Sequence, residues 1–218
     1  MPRPTWFNLP ADKRGRVVDA AMREFGAHGF SGGSLNAIAG AAGVAKGSLF
    51  QYFDDKLALF AYVCDVCSTR IRDAMLARME QRDTGQPLFD LLRVLTVDWI
   101  DYFRAHPVER GVTFATNFEM DPAVRATVRR VVNRHYRDVL DPLLKSARDR
   151  GELRDDVDLD HLLALLILLL PHLALAPHAP ELDPVLELHG ATPDEAADRA
   201  GSLLAALERA FAPHGGTP

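Results

Sequence analysis

Five prolines, at positions 10, 87, 107, 122 and 193, each head a segment whose apolar residues recur at separations of three and four. Proline has no backbone N–H and holds φ near the helical value, so the first turn of a helix is where it fits most easily. No stretch alternates apolar and polar residues with the Val, Ile and Thr enrichment of a half-buried strand. The pattern predicts an all-α chain of about nine helices. Its strongest start signal is Thr192-Pro193-Asp194-Glu195, a capping box with proline at the first helical position.

Boundaries follow from the same punctuation. A first helix runs from Pro10 to a stop at Gly29, and Ser34 caps a short second one through Ile38 to Gly43. A third covers Lys46 to Phe53. Asp55 caps a long fourth helix reaching about Arg82, and two more span Leu88–Ala105 and Pro107 to near Phe118. Asp121-Pro122 opens a seventh toward Arg150, which Pro142 should kink or break. The eighth begins near Asp158 and carries the run Leu162–Leu170, apolar on every side and so expected to be covered on both flanks. The ninth reaches about Phe211. Residues 177–191, with three prolines, read as an irregular loop, and 214–218 as a loose tail.

A length of 218 residues with 48% apolar and 25% charged side chains suits a globular chain of one domain or two small ones. Two cysteines cannot build a disulfide framework, the first residues lack a signal-peptide pattern, and the longest apolar run (Leu162 to Ala176) is broken by Pro171 and His172. These features predict a soluble cytoplasmic protein. Charge is unevenly spread: residues 1–56 hold seven basic and five acidic side chains, whereas the remainder holds 18 and 25. Positive charge gathered at one end is how an acidic protein can still meet phosphate.

Residues 34–56 carry the functional information. Two short helices joined by a tight glycine turn, beside a longer first helix, make a helix-turn-helix unit. Ile38, Val44, Leu49 and Phe53 are spaced to close a small core with Phe25 and Phe30, which leaves Lys46, Gly47, Phe50 and Gln51 together on the other face of the third helix. Gly47 permits close approach, Gln51 offers an amide to a base edge, and Lys46 offers a cation to phosphate. Ser34, at a helix N-terminus, can meet phosphate through its hydroxyl or backbone N–H, and Lys56 can do so from the far side.

The residues from Ala20 and Ala21 through Phe25, Gly29 and Phe30 fit a longer pattern with Ser34, Ile38, Ala39, Ala42-Gly43-Val44, Lys46-Gly47-Ser48-Leu49-Phe50, Tyr52-Phe53, Lys56 and Leu59. Over residues 10–60 the chain resembles the DNA-binding domain of the TetR family of bacterial transcriptional regulators. The resemblance implies a homodimer on a palindromic operator, each subunit placing Ser48, Phe50, Gln51 and Tyr52 on a half-site. It also implies a small-molecule inducer that releases the DNA. Ala45 stands where that family often has Ser or Thr, Phe50 where Tyr is commoner, and Tyr52 where His is frequent. Residues 1–55 are then the DNA-binding head and 56–213 the ligand-binding and dimerisation domain.

The remaining signals are weaker. Trp99, Tyr102 and Phe103 form one aromatic cluster and Phe114 and Phe118 another; with Asn117, Val132 and His135 they are candidates to line an effector chamber. Leu162, Leu166 and Leu169, with Ala200, Leu204, Leu207 and Phe211, are candidates for a two-fold helical interface. Cys64 and Cys67, three apart on one helix, suggest buried thiols, with a redox or metal switch as the alternative. Nothing assembles catalytic, metal-binding or cofactor-binding spacing, so neither an enzyme nor a cofactor is expected.

Overall fold

The computed structural model describes residues 2–82 and 85–213. Among them are ten α-helices, two short 3-10 turns and no strand. The helices are α1 (Pro4–Phe7), α2 (Ala11–Gly32), α3 (Leu35–Ala42), α4 (Lys46–Tyr52), α5 (Lys56–Glu80), α6 (Leu88–Ala105), α7 (Pro107–Asn117), α8 (Pro122–Asp149), α9 (Leu159–Leu175) and α10 (Pro193–Phe211). The all-α class holds, and the capping box at Thr192 and Glu195 forms as the sequence predicts. The expected tail at 214–218 lies outside the described residues.

Two elements depart from expectation. The patterning gives no sign of α1, which is too short to show a period. Pro142 does not end α8, which runs through it to Asp149. Leu140, Leu144 and Ala147 are buried on either side, and that packing outweighs the one backbone hydrogen bond a proline removes.

The chain divides into two compact units, Met1–Ile71 with His106–His135 and Arg72–Ala105 with Tyr136–Pro218, and the divide falls inside α5 and α8. In the first unit, α2, α3 and α4 close on Phe25, Ile38, Leu49 and Phe53, all buried. Phe25 and Phe30 lie 4.9 and 5.5 Å from the ring of Phe60. Ser34 caps α3 through the Ala37 N–H, and Gly43, in the left-handed region at φ 66°, turns the chain toward α4. Helix α7 crosses α2 at a pair of glycines, where a Cβ on Gly111 would stand 2.6 Å from the Gly26 carbonyl oxygen. The two backbones touch there.

In the second unit, α6 packs on α9 and α10. The loop between those helices is not irregular throughout. It holds 3-10 turns at Ala176–His178 and Pro180–Leu182, and the Asp183 carboxylate accepts the N–H groups of Val185, Leu186 and Leu188. Leu188 is thereby buried with Leu173, Ala176, Ala196 and Ala200. The stretch Leu159–His178 is long and apolar enough to cross a membrane by length and composition alone, but half of it is buried inside the protein, as befits a core helix.

That burial corrects the expected dimer face. Leu162, Leu166, Ala200 and Leu204 are buried within their own chain, and Leu169 packs against the cluster around Leu173. Leu207 and Phe211 are half-buried. The apolar side chains that α9 leaves open are Leu165 and Leu168, the latter 64% exposed. A run apolar on every side cannot show from sequence which face the chain keeps for itself.

Candidate nucleic-acid interface

Helix α4 is seven residues long, and its N-cap, Ala45, supplies no side-chain hydrogen bond. Leu49 and Tyr52 turn inward, whereas Lys46, Gly47, Phe50 and Gln51 are all exposed and Ser48 is half-buried. The face expected from spacing is therefore open. A Cβ on Gly47 would meet no atom within 4 Å, and the residue sits inside α4 without positive φ. Nothing within the chain calls for a glycine there.

The supporting groups are differently placed from expectation. Tyr52 is buried, its ring centroid 5.8 Å from that of Trp6, so it does not lie on the open face. Ser34 has its backbone N–H bonded to the Glu24 carboxylate at 2.8 Å, while its Oγ accepts from Ala37. Only the Ser34 hydroxyl proton is left for phosphate. Lys56 Nζ donates to the Ser31 carbonyl at 3.3 Å and stands 4.7 Å over the Phe30 ring, so one of its three donors is spent within the chain.

The aromatic candidates for an effector chamber fall in different units. Trp99, Tyr102 and Phe103 belong to the second, where the Trp99 ring lies tilted against those of Phe103 and Tyr136 at 5.9 and 5.8 Å. The Trp99 indole N–H is buried without an acceptor among the described residues. Phe114, Asn117, Phe118, Val132 and His135 belong to the first. There Asn117 Oδ1 accepts from Arg129 at 2.7 Å, and His135 Nε2 meets Asp65 Oδ1 at 2.7 Å. Asp65, with Arg134 at 2.8 Å on the same oxygen, is a partner that sequence reading missed; it lies seventy residues from His135.

Both cysteines are free, buried thiols. Cys64 Sγ lies 3.4 Å from Thr116 Oγ1, and Cys67 Sγ donates to the Glu109 carbonyl. Burial pushes the Cys64 thiol up to about 12 and the Cys67 thiol higher still. Thiolate, the reactive form, is scarce at neutral pH. Among the described residues no cluster of three or more metal-binding side chains forms.

Comparison with known proteins agrees with this geometry. Residues 17–63 match the model for bacterial regulatory proteins of the tetR family, and residues 81–189, half of the chain, match the tetracyclin repressor-like C-terminal domain. The transcriptional regulator CymR of Pseudomonas putida is 26% identical over 160 residues, covering 72% of this chain and 75% of its own. AcrR of Shigella flexneri is 33% identical over 84 residues, 38% of this chain and 39% of its own. In structure, the fatty acid degradation regulator FadR of Bacillus halodurans aligns with a TM-score of 0.70 at 18% identity, over 94% of this chain and 99% of its own. FadR of Bacillus subtilis, solved with stearoyl-CoA, gives 0.70 at 15%, over 87% and 96%. A helix-turn-helix head whose open face is Lys46 to Gln51, joined to a tetracycline-repressor-like C-terminal domain, places this chain in the TetR family of ligand-responsive, DNA-binding transcriptional repressors.

Proposed function

We propose that the chain acts as a cytoplasmic homodimer, without catalytic activity, that sets two copies of the α4 face on the half-sites of a palindromic operator. The open face of α4, with Lys46, Gly47, Phe50 and Gln51 exposed, carries this reading: with no side chain at Gly47 the helix backbone can approach a base edge closely. Gln51 reads, Phe50 meets a thymine methyl, and Lys46, the Ser34 hydroxyl and Lys56 hold phosphate. The head is residues 1–55 and the remainder serves effector and partner.

The effector site is assigned to the aromatic end of α6. The unsatisfied indole N–H of Trp99 favours a ligand that brings an acceptor, such as a carbonyl or carboxylate, on an apolar body. Release then runs through α5 and α7. Helix α5 begins at Lys56 beside the DNA face and is tied to α7 through Cys64–Thr116 and Cys67–Glu109, while α7 rests on α2 at the glycine crossing. A ligand favouring a shifted α5 or α7 would move the heads off the spacing of one DNA turn, roughly 34–36 Å.

Selection from a randomised duplex pool tests the reading. The expected product is a two-fold symmetric sequence, and Gly47→Ala should lose the enrichment while keeping its fold. An unsymmetric consensus, or full enrichment by Gly47→Ala, would defeat it.

A further inference from the structure

Residues 2–9 make contacts that sequence patterning did not anticipate. Trp6 of α1 is fully buried, with its ring 5.8, 4.9 and 5.5 Å from those of Tyr52, Phe53 and Tyr62. The Arg3 backbone N–H donates to the Tyr52 carbonyl at 2.8 Å, and Thr5 Oγ1 donates to the Gln51 carbonyl. The Arg3 guanidinium meets Asp54 at 2.7 Å. At its other end the segment is tied to α2, because Arg14 Nη1 donates to the carbonyls of Phe7 and Leu9 at 2.9 and 2.6 Å. The segment thus bridges α2 and the C-terminal end of α4.

We propose that this N-terminal segment braces α4, and that Trp6 and Thr5 are positioning residues for DNA reading. The proposal rests on the assignment of α4 as the reading helix. A helix of seven residues is far below the length at which an isolated helix holds together, and α4 has no side-chain cap at its start. The last carbonyls of any helix lack intrahelical partners. Here two of them, those of Gln51 and Tyr52, are taken by Thr5 and Arg3. Gln51 is therefore held by its carbonyl from one side while its amide faces out on the other. The exposed Arg3–Asp54 pair contributes little beside this, since such pairs are worth about 0–1 kcal/mol. The buried Trp6 N–H has no acceptor among the described residues, so phenylalanine can fill the same place without stranding another polar group.

The test uses the full chain and two DNA probes: duplexes enriched by the wild type from a randomised pool, and the unselected pool. Trp6→Ala and Thr5→Val should each lower the ratio of selected to unselected binding, by roughly tenfold and threefold. Binding to the unselected pool and the salt slope should be unchanged. Trp6→Phe should restore the ratio to within about twofold of wild type. In fluorotryptophan-labelled protein, the fluorine resonance that vanishes in Trp6→Phe should shift with selected duplex and not with the pool. An unchanged ratio in Thr5→Val, which keeps the packing and so folds, overturns the proposal. So does an equal loss on both probes with a smaller salt slope, which would mean that the segment grips phosphate itself. Gln51→Ala separates the two readings: if it lowers the ratio while the brace variants do not, only the brace fails. If it too leaves the ratio unchanged, α4 is not the reading helix and both fail.

Discussion

Gln51 and Lys46 share the open face of α4 but are asked to do different things. An amide can pair with an adenine edge, so Gln51→Ala should cost about 1–3 kcal/mol on the preferred operator and relax discrimination at one base pair per half-site. Lys46→Ala should weaken selected and unselected DNA alike and reduce the salt slope by about one per subunit. Titrations at two salt concentrations against single-base variants separate the two roles; exchanged effects would reverse the assignment. The thiols give a second residue-level expectation. With Cys64 raised from 9.0 to about 12 by burial, the folded chain keeps its thiol protons where the unfolded chain loses them. That contribution to stability is complete below about 9 and is lost as pH rises toward 12. Iodoacetamide at pH 8 should leave both cysteines unmodified until the chain is unfolded, as mass spectrometry would show; rapid native labelling would refute the burial.

Helix α7 is placed on α2 by the absence of two side chains. A Cβ on Gly111 would run into the Gly26 backbone, and backbone cannot rotate away as a side chain can. Gly111→Ala should destabilise the fold by about 1–3 kcal/mol as the helices separate, read from urea unfolding. Gly15, inside α2 with open space around its would-be Cβ, is the control: Gly15→Ala should stabilise by roughly 0.5–1 kcal/mol. Equal effects at both positions would show that helix propensity, not the crossing, explains the glycines. The crossing joins residues eighty-five apart, and no local pattern marks it. The caps, by contrast, were legible, because Ser34, Asp158 and Thr192 each act on N–H groups within three residues of themselves.

At the scale of the assembly, the distinction between buried and open leucines decides which variant tests the dimer. Leu204 is fully buried, so Leu204→Glu should unfold the chain rather than separate one copy from another. Leu168→Glu adds charge to a mostly exposed position and should give folded monomers by sedimentation, with operator binding weakened because two half-sites are no longer gripped together. Persistent dimers in Leu168→Glu would move the interface off α9. Linkage supplies the remaining check on release. Whatever factor the effector takes from operator affinity, typically 5–150-fold, the operator must take from effector affinity. Calorimetry with a long-chain carboxylate as the first probe, with and without the selected duplex, measures both arms.

The sequence by itself determined the helical class, most helix starts, and the face of α4 that stays open. Those features depend on neighbours within four residues: a proline at a first turn, a capping side chain, an apolar residue one turn away. Tertiary structure alone decided that Tyr52 turns inward beneath Trp6, that Asp65 pairs with His135, and that α9 spends Leu162 and Leu166 on its own chain. Each of these is a contact between residues tens of positions apart, and the energy that selects it belongs to the packed partner, which no local spacing records. Periodicity says that a side chain must be covered; only the folded chain says by what.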